Sequence, residues 1–156
     1  MKVAFFKGTR PGVAGIYSWG VRTWTRTPYS HVELIFSNGT AASSSAKDNG
    51  VRFVENFREH LDAPEDWDII ELPDHYAANA WAWFEKHEGE RYDIFGNVHF
   101  VISIVGGARR KWFCSEAVAA ALGIGKPERF NPGDLYEMVK FIAGIYEDPA
   151  LTKLAA

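Results

Sequence analysis

Turn signals cut the first half of this chain into short runs of strand formers, while the second half carries longer runs at helical spacing, and that order restricts the architecture more than any other feature. Residues 3–6 (VAFF) read as an apolar strand. Residues 13–25 carry Val13, Ile16, Val21 and Trp24 at spacings near three and four and predict a glycine-weakened helix, which Thr27-Pro28 stops. Residues 31–36 (HVELIF) are rich in strand formers, and Asn38-Gly39 turns the chain into a second strand over 40–45. Asp48-Asn49-Gly50 makes the next turn, into 51–54, and 67–72 (WDIIEL) reads as a further strand. Residues 74–88 form an Ala- and Trp-rich helix, and Tyr92-Asp93 opens an apolar helical segment to about 104, closed by Gly106-Gly107. Residues 114–122 (CSEAVAAAL) make a short helix ended by Gly123; Asn131-Pro132-Gly133-Asp134 starts another over 135–145, with Asn as N-cap and Pro in the first turn. Strands first and helices afterwards predict an α+β domain over 1–156, an antiparallel sheet of four to five strands with helices packed on it.

Composition decides which partners such a domain can take. With 47% hydrophobic and 24% charged residues, a chain of 156 residues buries a core without disulfide or metal staples. Seventeen Lys and Arg against 20 Asp and Glu leave a net charge of −3, too little cationic surplus for nucleic acid as the main partner. One cysteine and five scattered histidines show no metal-ligand spacing, and no cofactor motif is present. The N-terminal apolar run is too short for a signal peptide, and the apolar stretch 98–108 falls far short of the roughly 20 residues that span a bilayer. The expectation is therefore no transmembrane segment and a cytoplasmic location as synthesised, with release by lysis, a particle or a secretion system as the routes outward.

Cys114 begins a predicted helix and follows Arg109, Arg110 and Lys111. Helix N–H groups and nearby cations stabilise an anion, so a thiolate with a pKa below about 8.5 is expected, and the same N–H groups suit a tetrahedral oxyanion. Between Phe113 and an alanine-rich run, Cys114 equally reads as a buried small hydrophobe. His31 opens a strand after Pro28-Tyr29-Ser30, placed to act as a base or simply to pack; His60, His75 and His87 stand in polar contexts, and His99 in an apolar one. Side chains alternate along a strand, so His31, Glu33 and Ile35 share a face, and Glu33 is either the imidazole's neighbour or an exposed carboxylate.

Taken in order, Thr25-Arg26-Thr27-Pro28-Tyr29-Ser30-His31-Val32 followed by a hairpin, Tyr92-Asp93, Phe113-Cys114-Ser115-Glu116 and Asn131-Pro132-Gly133-Asp134-Leu135-Tyr136 resemble the circularly permuted NlpC/P60, papain-like group, including YiiX-like hydrolases and lecithin–retinol acyltransferase relatives. In that group the histidine strand precedes the cysteine helix, the reverse of ordinary papain-like enzymes.

The resemblance implies a cysteine peptidase or amidase, with Cys114 as nucleophile, His31 as general base and no metal or cofactor. It places a third polar residue on the following strand near Ser43, which can hydrogen-bond an imidazole but cannot supply charge; Glu33, where relatives carry a small residue, is the other candidate. Tyr29 either contacts the substrate or packs in the core, and Asp93 and Asp134 read as helix-start residues. The implied substrate is an acyl amide, with the peptidoglycan stem peptide foremost. A lipid esterase or acyltransferase with the same dyad is the alternative, and a non-catalytic binding or assembly module on the same scaffold is another.

Overall fold

The computed structural model describes residues 1–9, 12–57, 63–92 and 111–147. Five strands, β1 (Lys2–Phe6), β2 (His31–Ile35), β3 (Ala41–Ser45), β4 (Gly50–Val54) and β5 (Trp67–Glu71), form an antiparallel sheet in the order β5-β1-β2-β3-β4. Two strands of two residues each, β6 (Arg91–Tyr92) and β7 (Lys111–Trp112), extend it beyond β4 and run parallel to one another. The described sheet is thus wider than the four to five strands expected, because a two-residue strand has no alternation to detect and exists only through its neighbours. Among the described residues four α-helices accompany the sheet: α1 (Gly12–Thr25), α2 (His75–His87), α3 (Cys114–Ala121) and α4 (Pro132–Glu147). The apolar segment at 93–104 lies outside the described residues.

Local chemistry accounts for the punctuation. At Asn38-Gly39 the Phe36 N–H reaches the Thr40 carbonyl at 2.8 Å, and Asn38 Oδ1 accepts the Thr40 N–H, while Gly39 takes φ +86°, a conformation glycine adopts without steric cost. Asn131 Oδ1 accepts the N–H groups of Gly133 and Asp134 and so caps α4, with Pro132 as its first residue. Gly50 opens β4 because a Cβ there would lie 2.0 Å from the Glu90 carbonyl oxygen, the backbone on which β6 docks.

The two faces of the sheet differ. Val3, Phe5, Val32, Leu34, Ala42 and Val51 face the main core, where residues of α2, α3 and α4 cover them. Phe5 and Phe84 are fully buried there, each contributing on the order of 3 kcal/mol by removal from water. On the opposite face Ala4, Ile35 and Ala41 form a smaller cluster with Phe57, against which Val54 and Trp67 pack. Arg22 of α1 donates to the carbonyls of Lys7 and Gly8 and ties that helix to the chain leaving β1. Among the described residues no helix is long and apolar enough to cross a membrane.

Candidate active site

The sheet parts where the candidate residues gather. Strands β1 and β2 pair over five positions, as do β3 and β4, but the ladder between β2 and β3 consists of Leu34↔Ala42 and Ile35↔Ala41. Since the Phe36 N–H bonds Thr40 across this seam, the even residues of β2 direct their backbone groups toward β3, and Val32 would be next in line. Side chains take its groups instead. Ser43 Oγ donates to the Val32 carbonyl at 2.6 Å, and the Val32 N–H lies toward the Cys114 thiol.

Cys114 is the first residue of α3, preceded by the extended Phe113, whose N–H donates to Glu116 Oε2 at 3.3 Å. The thiol is fully buried, in the core that contains Val32, Phe113, Ala117 and Val118. Burial pushes its pKa up to about 12; the N–H groups of Val32, Ser115 and Cys114 itself pull the other way, and the Glu33 charge adds to the rise. Of the two readings of Cys114, the buried small side chain is the one observed, and a lowered pKa is not. The helix start offers N–H groups, but removal from water disfavours the anion by more than they restore. Of the three cations before Cys114, Arg109 and Arg110 lie outside the described residues, and Lys111 is described by its backbone in β7.

His31 belongs to a charged chain. Its Nε2 lies 2.7 Å from Glu33 Oε1, and Arg52 of β4 donates from Nη1 to Glu33 Oε2 at 2.7 Å and from Nη2 to Oε1 at 2.5 Å. Arg52 Nε also reaches Asp48 Oδ2 at 3.0 Å. Glu33 has a side-chain exposure of 2%, so burial alone would raise its pKa; the Arg52 guanidinium, and after it the His31 imidazole, outweigh burial and hold it at about 2. Burial would likewise lower the Arg52 pKa, but the paired Glu33 carboxylate raises it above the ordinary value. With a carboxylate as partner, Nε2 is the protonated ring nitrogen, and the neutral imidazole carries its lone pair on Nδ1.

Strand alternation decides which residues meet. His31 and Glu33, with Arg52 opposite Ser43 on the neighbouring pair, occupy the face of Ala4, Ile35 and Ala41, whereas Cys114 comes to β2 from the helix-covered face with Val32 and Leu34. The thiol therefore meets the strand at the residue next to His31, and the imidazole projects from the other side. Of the two candidate partners for His31, Glu33 contacts it, and Ser43 gives its hydroxyl to Val32. Tyr29, considered for substrate contact, is buried: its hydroxyl donates to Asp68 Oδ2 at 2.7 Å, and its ring stacks on Tyr136 with centroids 4.5 Å apart. Burial, and then the Asp68 carboxylate, raise its pKa above the ordinary tyrosine value. Asp134 is joined by Asn131 at the start of α4, and Asp93 lies outside the described residues.

Two site residues escaped sequence reasoning. Arg52 carried a signal, a charge in the middle of a strand, but its partner lies two strands away. Ser43, opposite Arg52 in the β3–β4 register, is small enough for the guanidinium to pass over β3 to Glu33. Ser30, directly before His31, buries a hydroxyl that has no hydrogen-bond partner among the described residues. Among the described residues no group of three or more His, Cys, Asp or Glu is arranged to hold a metal ion. Grooves of about 540 Å³ at Trp19, Gly20 and Trp24 and of about 300 Å³ at His75, Tyr76 and Trp83 lie apart from these residues.

No protein-family model matches the chain, and no curated protein is significantly similar to it.

Proposed function

We propose that this chain is a thiol hydrolase of acyl amides on a permuted papain-like fold, with Cys114 as nucleophile, His31 as general base and Glu33 orienting the imidazole. The observation that carries this reading is the buried Arg52–Glu33–His31 chain. Burying the Glu33 carboxylate between a half-buried Arg52 and a half-buried His31 is costly, and apolar residues of similar volume usually serve a sheet as well, so such a chain is better explained by what it does to the imidazole. A carboxylate at Nε2 orients the ring and stabilises its protonated form. In the reaction the Cys114 proton passes to the His31 ring and the sulfur attacks the substrate carbonyl. The amine leaves with the proton from the imidazolium, and water, deprotonated by His31, cleaves the thioester to the acid and the free thiol. On this reading the resting thiol is protonated, and the proton transfer requires a rearrangement at β2, because sulfur and imidazole stand on its opposite faces.

The substrate class is the one the resemblance implies: an amide within a peptide, with the peptidoglycan stem peptide first and a lipid acyl ester second. A second reading, a non-catalytic binding module, draws support from the complete burial of Cys114 and its raised pKa.

Alkylation of Cys114 by iodoacetamide from pH 4 to 10, with and without substrate fragments, in the wild type and in His31→Ala, separates the two. The hydrolase reading expects alkylation accelerated by substrate and dependent on His31. A thiol unreactive below about pH 10 in both proteins under every condition sinks it and leaves the module. Product analysis on peptidoglycan fragments and on lipid esters then distinguishes the acyl groups.

A further inference from the structure

We propose that Arg52 is a positioning residue for His31, acting through Glu33: its two-pronged grip fixes the carboxylate in the one orientation that holds the ring by Nε2. The inference rests on the reading of His31 as the base. Both Glu33 oxygens accept from the fork, at 2.7 and 2.5 Å, and Oε1 also faces His31 Nε2 at 2.7 Å, so the rotation of the carboxylate and the placement of the imidazole are set together. Asp48 Oδ2 holds Arg52 Nε at 3.0 Å and steadies the fork from its far side. A planar guanidinium matches a carboxylate with two parallel bonds; an ammonium is a point charge and leaves the carboxylate free to turn. Charge alone does not replace it.

The test reads the imidazole directly, by the lifetime of the His31 Nε2–H proton against solvent exchange in the ¹⁵N-labelled protein, assigned by its loss in His31→Ala. A long-lived proton is expected in the wild type. Arg52→Lys, which keeps the charge and the fold, is expected to shorten that lifetime tenfold or more with the backbone spectrum of the sheet unchanged, and Arg52→Gln to shorten it further. A wild-type lifetime in Arg52→Lys, or no protected imidazole proton in the wild type, overturns the proposal. The hydrolase reading fails separately: if Cys114 alkylation ignores His31 while the Nε2–H lifetime still follows Arg52, the positioning stands and the chemistry assigned to it does not.

Discussion

Ser43 Oγ donates to the Val32 carbonyl at 2.6 Å and so closes, with a side chain, a position that the β2–β3 ladder leaves open. This gives serine a structural task at the very place where the motif order suggested a partner for His31. Ser43→Ala leaves a buried carbonyl without that donor and is expected to cost about 1–3 kcal/mol, read as a lower urea midpoint with an unchanged slope. The pH profile of Cys114 alkylation should stay as in the wild type. A displaced profile in Ser43→Ala would show that the hydroxyl, not Glu33, governs the imidazole.

Acid should loosen the molecule through Glu33. Its carboxyl stands at about 2 when folded against an ordinary 4.5, so the stabilisation is complete above about pH 4.5 and is lost as pH falls toward 2. The gap corresponds to about 3 kcal/mol. Urea unfolding at pH 7, 5, 3 and 2 measures it, and the paired replacement Glu33→Gln with Arg52→Met, which removes both charges, is expected to flatten the decline by about that amount. An equally steep fall in the double variant would assign acid sensitivity to other carboxylates.

Ser30→Ala should be neutral or stabilising by up to about 1 kcal/mol, since it removes a buried hydroxyl that lacks a partner among the described residues. For a chain of this size that is a rise of about 2–4 °C in Tm by calorimetry. A clear drop in Tm would mean that the hydroxyl is satisfied in solution.

Gly50→Ala is expected to destabilise by more than about 1 kcal/mol, because the new Cβ would meet the Glu90 carbonyl at 2.0 Å and the residue would keep φ +149°. Hydrogen exchange should show the damage as lost protection at the Val51 N–H, which donates to Glu90 at 2.8 Å. Unchanged protection there would mean that β6 can shift aside at little cost.

Much of the fold was legible because it is encoded locally. The strand formers over 31–36, the Asn38-Gly39 turn and the Asn131 cap depend on residues within a few positions of one another, and the structure places β2, the hairpin and α4 there. The short β6 and β7 were not legible, since a pair of residues carries no period. Which of the two readings of Cys114 holds was not legible for a different reason. A helix start is visible in sequence, but the burial that overrides its N–H groups comes from Val32 and the helices packed around it.

By itself the sequence determined the strand and helix segments, the α+β order and the shared face of His31 and Glu33, because hydrogen bonding and side-chain alternation act between near neighbours. Only the tertiary structure decided that Arg52 reaches over Ser43 to Glu33, that Cys114 and His31 come to β2 from opposite sides, and that burial raises the pKa of the thiol. Those outcomes depend on strand order, register and desolvation, which are set by contacts between distant segments.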